Sequence, residues 1–139
     1  MFKVVSTPDE LFKVYAVRSI VFVEEQRCPW DEEFDGLDEG AVHILGEQDG
    51  EPVAAGRIRL MGDYAKLERI AVRPTYRGRG VGDRLVKYML DVARRYGCTT
   101  FRMHAQAHLT GFYRAHSFDV CGGLFQEAGI DHYPMIRQD

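Results

Sequence analysis

At 139 residues, 45% of them hydrophobic and 28% charged, the chain has the size and composition of one soluble globular domain, 1–139, and not of a fibre or a disordered tail. No run of about 18 apolar residues marks a membrane span, no apolar segment with a small-residue cleavage site opens the chain, and the expected compartment is the cytoplasm. The net charge of −3 excludes little by itself. The opening FKVV reads as a short strand. Ser6 or Thr7 then caps a helix beginning at Pro8, because a hydroxyl before Pro-Asp-Glu satisfies orphan amides and proline is tolerated in the first turn. Leu11, Val14, Tyr15, Ile20 and Phe22 give this helix an apolar stripe through about Val23. An irregular, acid-rich stretch over 27–40 follows and contains Trp30.

Two strand-like runs, 41–47 and 52–61, flank Gln48-Asp49-Gly50-Glu51, where Asp-Gly predicts a hairpin turn. A third run, 65–72, follows the turn at Gly62-Asp63 and completes an antiparallel meander. Val81, Leu85, Val86, Met89, Leu90, Ala93 and Tyr96 then trace one helical face, and Gly97 supplies the stop. A strand over 99–104 follows, so strand, helix and strand predict a right-handed crossover between parallel neighbours. A short helix over 110–115 and closing strands over 118–125 and 132–136 complete the expected order. The fold class is α/β (α+β), a mixed, mainly antiparallel sheet of about six or seven strands flanked by helices.

Charge is unevenly placed along this framework. Eight acidic residues lie between Glu24 and Glu39 against the single Arg27, whereas 69–82 contains four arginines and no acid. Solvated surface, attraction of a cationic ligand, and pairing of Asp35 or Asp38 with Arg18 that holds the loop against the first helix are all open for the acidic run; the cationic turn suits an anion. Cys28, Cys98 and Cys121 are odd in number and widely spaced, which argues against a disulfide framework and a thiolate zinc site. His104 and His108 have a spacing used by metal ligands, but a strand end and Leu109-Thr110-Gly111 break any shared helix, and no metal is expected. Nucleic acid is not an expected partner of an acidic chain whose arginines crowd one turn.

That turn reads Arg77-Gly78-Arg79-Gly80-Val81-Gly82. A glycine turn before a helix aims unpaired amides and the positive end of a dipole at one spot, and phosphate is the natural occupant. A Walker A loop would end in Gly-Lys-Ser/Thr where Gly82-Asp83-Arg84 stand. A dinucleotide fingerprint would need its third glycine at Asp83 and a ribose-binding acid where Arg102, Met103 and His104 lie. A plain flexible turn capping a core helix also remains.

Arg77-x-x-Gly80-x-Gly82, set after Ile70-Ala71-Val72 and Arg73-Pro74, resembles the acyl-CoA pyrophosphate loop of the GNAT (general N-acetyltransferase) superfamily. IAVRPTYRGRGVGDRLVKYMLDVARRYG is similar to that superfamily's strand, loop and helix, and GFYRAHSF to its FY-x-x-x-GF segment. Arg18, Phe22 and Glu33-Phe34-Asp35-Gly36-Leu37-Asp38 resemble its small bacterial members. The resemblance implies acetyl-CoA held by Ile70, Ala71, Val72, Arg77, Gly78, Arg79, Gly80, Val81 and Gly82, with the Ile70 amide toward the thioester oxygen. Tyr113 then protonates the thiolate and Glu68 takes the amine's proton through water, provided a bulge turns the strand between Leu67 and Ile70. Glu33, Asp35 and His104 are the expected contacts of a small-molecule amine, with no membrane partner and a homodimer left open. Two other functions share the fold: an autoinducer-synthase-like acyltransferase, suggested by Arg18, Phe22, Trp30, Asp35 and Asp38, and a non-catalytic acyl-CoA sensor. One departure stands out. Ser117 occupies the usual glycine position before Phe118, where a left-handed turn costs roughly 1 kcal/mol more than for Gly, so an altered turn and a displaced Tyr113 are expected.

Overall fold

The structure, a computed structural model, describes residues 1–139. Strand β1 (Phe2–Val4) leads into helix α1 (Pro8–Arg18), whose start is a reciprocal cap: Thr7 Oγ1 accepts from the Glu10 amide at 3.2 Å, and the Glu10 carboxylate accepts from the Thr7 amide at 3.1 Å. The helix does not continue as α to Val23. It widens into a π-helical segment over Ser19–Glu25, and π segments occur most often at functional sites. A short helix α2 (Trp30–Glu33) interrupts the expected irregular stretch.

The meander is β2 (Val42–Gln48), β3 (Glu51–Leu60) and β4 (Ala65–Val72). Asp49 (φ 52°) and Gly50 (φ 79°) are both left-handed, the geometry a two-residue hairpin turn needs. Helix α3 (Val81–Arg95) connects β4 to the parallel strand β5 (Thr100–Gln106), as the sequence predicts. After α4 (Thr110–Arg114), the expected strand over 118–125 is split into β6 (Asp119–Val120) and β7 (Phe125–Glu127), and β8 (Ile130–Gln138) is longer than its apolar run. Gly122 explains part of the break, since a Cβ there would sit 2.7 Å from the Pro134 ring on β8. The sheet therefore has eight strands, in the order β1-β2-β3-β4-β5-β8-β6 with β7 beside β8, and every pair except β4–β5 is antiparallel.

Alternation along the strands builds two apolar layers. Ala54 and Ile58 of β3 face α3, where Leu85, Val86, Met89 and Leu90 pack with Leu67, Phe101, Met103 and Met135. Ala55 points the other way and joins Leu45 and Ala71 under Val14, Val17 and Val21.

Ser117 is left-handed (φ 65°), so the turn is not altered by the loss of glycine. The Phe118 amide bonds the Tyr113 carbonyl at 3.1 Å and the Ser117 amide bonds Arg114 at 2.9 Å, which closes α4 with a Schellman motif and keeps Tyr113 in place. Ser117→Gly should then stabilise the protein by about 1 kcal/mol and raise its melting temperature by a few degrees in calorimetry.

Candidate active site

Strands β4 and β5 pair only at Ala65↔Phe101 and Lys66↔Arg102. Beyond those positions β4 stays with β3 and β5 stays with β8, so the facing edges of 67–72 and 103–106 diverge with main-chain groups unpaired. A cavity of about 1020 Å³ opens there, lined by Leu67, Glu68, Ile70, Ala71 and Val72 on one edge and Met103, His104 and Gln106 on the other. The bulge expected between Leu67 and Ile70 is present: Ala55↔Ala71 and Arg57↔Glu68 leave Arg69 and Ile70 opposite Gly56 alone. Arg69 is held left-handed (φ 54°), a conformation that costs a non-glycine residue roughly 1–2 kcal/mol.

The glycine turn closes one end of the cavity, to which Arg77, Gly78, Gly80, Val81 and Gly82 contribute. Gly80 is the left-handed N-cap of α3 (φ 76°) and gives the helix no side-chain cap, so the first-turn amides stay free. A Cβ on Gly82 would lie 3.3 Å from the Phe112 ring, a tight contact that glycine avoids. These residues fit a pyrophosphate: bare backbone, free amides and a helix dipole converge on one spot. Arg77 is already engaged, since its Nη1 and Nη2 donate to Glu25 at 2.7 and 2.6 Å and its Nε to the Val72 carbonyl at 3.0 Å. Its guanidinium thus ties the π segment to the loop. Arg79 lies over the Tyr76 ring and does not line the cavity.

Tyr113 projects from α4 into the cavity wall and is buried. Burial pushes its phenol well above the ordinary range, so it stays protonated, and no side chain of the protein hydrogen-bonds its hydroxyl. Glu68 lies on the opposite edge. Burial alone would raise its carboxyl, but Arg59 Nε at 2.5 Å, Arg57 Nη2 at 3.3 Å and Lys66 Nζ at 3.6 Å hold it below the usual carboxylate range. His104 faces the cavity with its Nδ1 3.2 Å from Glu127, near the buried His132, whose Nδ1 bonds the Ile130 carbonyl at 2.7 Å.

Glu33 and Asp35 also line the cavity, yet arginines occupy their oxygens. Glu33 Oε2 accepts from Arg18 Nε at 2.8 Å and lies 3.1 Å from Arg69 Nε. Asp35 takes both Nη atoms of Arg57 at 3.0 Å and one of Arg69 at 3.1 Å. Asp38 Oδ1 bridges Arg18 (2.6 Å) and Arg57 (3.0 Å), both fully buried. Burial opposes ionisation of Asp35, and the Arg57 fork more than offsets it, leaving the carboxyl far below its usual range. Three of the eight acids, Glu33, Asp35 and Asp38, are therefore the counter-charge of two buried arginines, and Glu33 and Asp35 also pair with the left-handed Arg69. Arg57 escapes a reading of the sequence because PVAAGRIRL carries no sign that this arginine is buried, and the pairing of Glu25 with Arg77 spans 52 residues with no local signal.

A sheet parted between two parallel strands, with free helix-terminal amides at the mouth of the gap and a protonated tyrosine in its wall, defines an acyltransferase of the acyl-CoA type. The chain belongs to the acetyltransferase (GNAT) family, whose model matches residues 9–118. It is 37% identical over 130 residues to a Bacillus subtilis (strain 168) protein named as the uncharacterized N-acetyltransferase YjcF, with 93% of each chain covered. Among solved structures it is similar to an acyl-CoA N-acyltransferase from Pseudomonas aeruginosa (TM-score 0.90, 29% identity, 99% and 98% of the chains). It is also similar to ElaA of Escherichia coli (TM-score 0.87, 28% identity, 99% of each chain). No helix is long and apolar enough to cross a membrane, and no group of His, Cys, Asp or Glu is arranged to hold a metal ion.

Proposed function

We propose that this acyltransferase moves an acetyl group from acetyl-CoA to the primary amine of a small molecule, by direct attack in a ternary complex. The observation that carries the reading is the meeting, in one cavity, of the unpaired β4 edge, the free α3 amides and the Tyr113 hydroxyl. Bound acetyl-CoA supplies an activated acyl group on a thiolate leaving group. The chain supplies the rest. Amides from Gly78 to Gly82 hold the pyrophosphate, Arg77 braces the loop through Glu25, and the edge through Ala71 and Val72 pairs with the pantetheine arm. The Ile70 amide donates to the thioester oxygen as negative charge grows there. Tyr113 gives its proton to the departing sulfur.

Glu68 and His104 face the acceptor. Glu68 takes the amine's proton through water, but its cationic neighbours make it a weak base, so Glu68→Gln should lower kcat by less than about 10²-fold, below the usual scale for a strong general base. A larger loss in initial-rate assays would restore it to full catalytic weight. Glu33 and Asp35 wall the acceptor side, and with their charge matched by arginines they shape the cleft more than they attract a cation.

Two measurements test the function together: calorimetric titration of acetyl-CoA, and CoA release across a panel of amines. Gly82→Leu should weaken acetyl-CoA binding on the order of tenfold or more, the cost of losing a charge-assisted backbone contact. Undiminished affinity in that variant would remove the loop from the site. Binding without CoA release on any amine would leave a sensor and not an enzyme of small amines.

A further inference from the structure

At one end of the cavity a linked set of ion pairs holds more cations than carboxylates, with Glu32 and Glu127 lining the cavity outside that set. Arg59 of β3 and Lys66 of β4 are register partners, and Arg102 of β5 lies abreast of Lys66, which places three cations side by side on one face of three adjoining strands. Glu68 is the carboxylate within ion-pair distance of Arg59 and Lys66, and it is shared with Arg57. Arg102 has no such partner and lies 5.3 Å over the Tyr64 ring. Followed outward, the ion pairs join Arg18, Arg57, Arg59, Lys66 and Arg69 to Glu33, Asp35, Asp38 and Glu68, five cations to four carboxylates before Arg102 is counted.

The surplus falls where a ligand can reach it. Arg59 and Lys66 line the cavity with side chains 21% and 19% exposed, so they are mostly withdrawn from water that would otherwise solvate them. Their donors are also free: Lys66 Nζ approaches Glu68 only to 3.6 Å, beyond hydrogen-bond range, and Arg59 bonds through Nε and Nη2 but not Nη1. At the other end of the network the Nε and Nη1 of Arg18 and both Nη atoms of Arg57 are taken by carboxylates.

We propose that the acceptor amine carries an anionic group, a carboxylate or a phosphate, and that this group docks on Arg59 and Lys66 with Arg102 beside them. The inference rests on the acetyltransferase reading for the ligand's role as acceptor. Lys66 and Ile70 are four residues apart on β4, but the bulge sets them opposite Arg59 and Gly56, three residues and about 10 Å of strand. The amine that reaches the acyl group is therefore separated from its anionic group by a chain of several atoms, which selects against an α-amino acid that holds both on one carbon.

Matched acceptors test this, each pair differing only in the anion. Glucosamine 6-phosphate is set against glucosamine for the phosphate, and 6-aminohexanoate against 6-aminohexan-1-ol for the carboxylate, with CoA release followed at saturating acetyl-CoA. The charged member of at least one pair should show a kcat/KM higher on the order of tenfold or more, and the pair that responds identifies the anion. Added salt should erode the preference. Arg59→Gln with Lys66→Gln should abolish it while acetyl-CoA affinity in calorimetry stays unchanged; Lys66→Gln alone, which loses only a long contact, should reduce it in a protein that melts like the wild type. Equal use of both members by the wild type, or a preference that survives in the double variant, overturns the subsite. If acetyl-CoA binds but no amine is acetylated, the transferase reading fails separately. The subsite is then read by melting curves with the loop saturated by CoA: inorganic phosphate or acetate should raise the melting temperature of the wild type and not of the double variant, and no rise with either overturns it.

Discussion

Neutralising Glu33 and Asp35 together, as Glu33→Gln with Asp35→Asn, should destabilise the protein by about 3–5 kcal/mol, the scale for breaking a buried ion pair from one side. Melting should begin on the order of 10 °C early. Arg18 and Arg57 are fully buried, and the double variant removes two of their five carboxylate ion pairs, leaving them only Asp38 and Glu68. The left-handed Arg69 loses its carboxylate anchors at the same time, so the Ile70 bulge relaxes and acetyl-CoA and acceptor affinities fall alike. A loop that served only to attract a cationic acceptor would behave differently, raising the acceptor's KM with melting and acetyl-CoA affinity intact. The pH dependence has a definite sign. Of the two replaced groups, Asp35 shows the larger shift: its folded carboxyl lies well below its unfolded value, so its contribution is complete above an unfolded pKa of about 3.9 and is withdrawn as pH falls from there through the lower folded value, whereas burial raises the Glu33 carboxyl and gives it the opposite slope. The gap between wild type and variant should therefore narrow in acid, which melting curves at pH 7 and pH 3 would check.

How much of this was legible in the chain depends on whether the cause was local. The amphipathic stripe of α3, its glycine start, the Asp49-Gly50 hairpin and the 65–72 strand are set by neighbours a few residues away, and they fold where the sequence predicts. The bulge was foreshadowed by apolar Leu67 and Ile70 three apart in a strand that otherwise alternates. The π segment was not, because Leu11 through Phe22 fit an α-stripe equally well and the widening depends on the cavity they border. Ser117 reads as a lost glycine, yet two backbone hydrogen bonds from Ser117 and Phe118 hold the left-handed turn at a cost the fold absorbs. Charge was the least legible layer. The pairing of Arg18 with Asp38 was open from the sequence, but the buried Arg57 on the third strand and Arg69 at the bulge were not, and neither is within 20 residues of Glu33.

Replacing Tyr113 with Phe should lower kcat on the order of 10²-fold, the usual scale for a positioned proton donor, while the affinity for acetyl-CoA stays within about twofold. Two features make the hydroxyl the expected acid. Its phenol is raised by burial, so the proton is present throughout the working pH range, and no protein side chain takes the hydroxyl's hydrogen bond away from the negative charge that grows on the departing sulfur. The substitution also isolates the proton from the packing. The ring of Tyr113 sits in the core edge to face with Phe112 and Phe118, and Phe keeps all of that contact. No protein side chain hydrogen-bonds the hydroxyl, so its removal leaves no orphaned partner and the variant should melt within about 1 °C of the wild type. A drop in kcat with unchanged melting and binding then reports the lost proton alone. Unchanged turnover in single-turnover experiments, where acyl transfer itself is timed, would assign protonation of the sulfur to solvent and leave Tyr113 as a wall of the cavity.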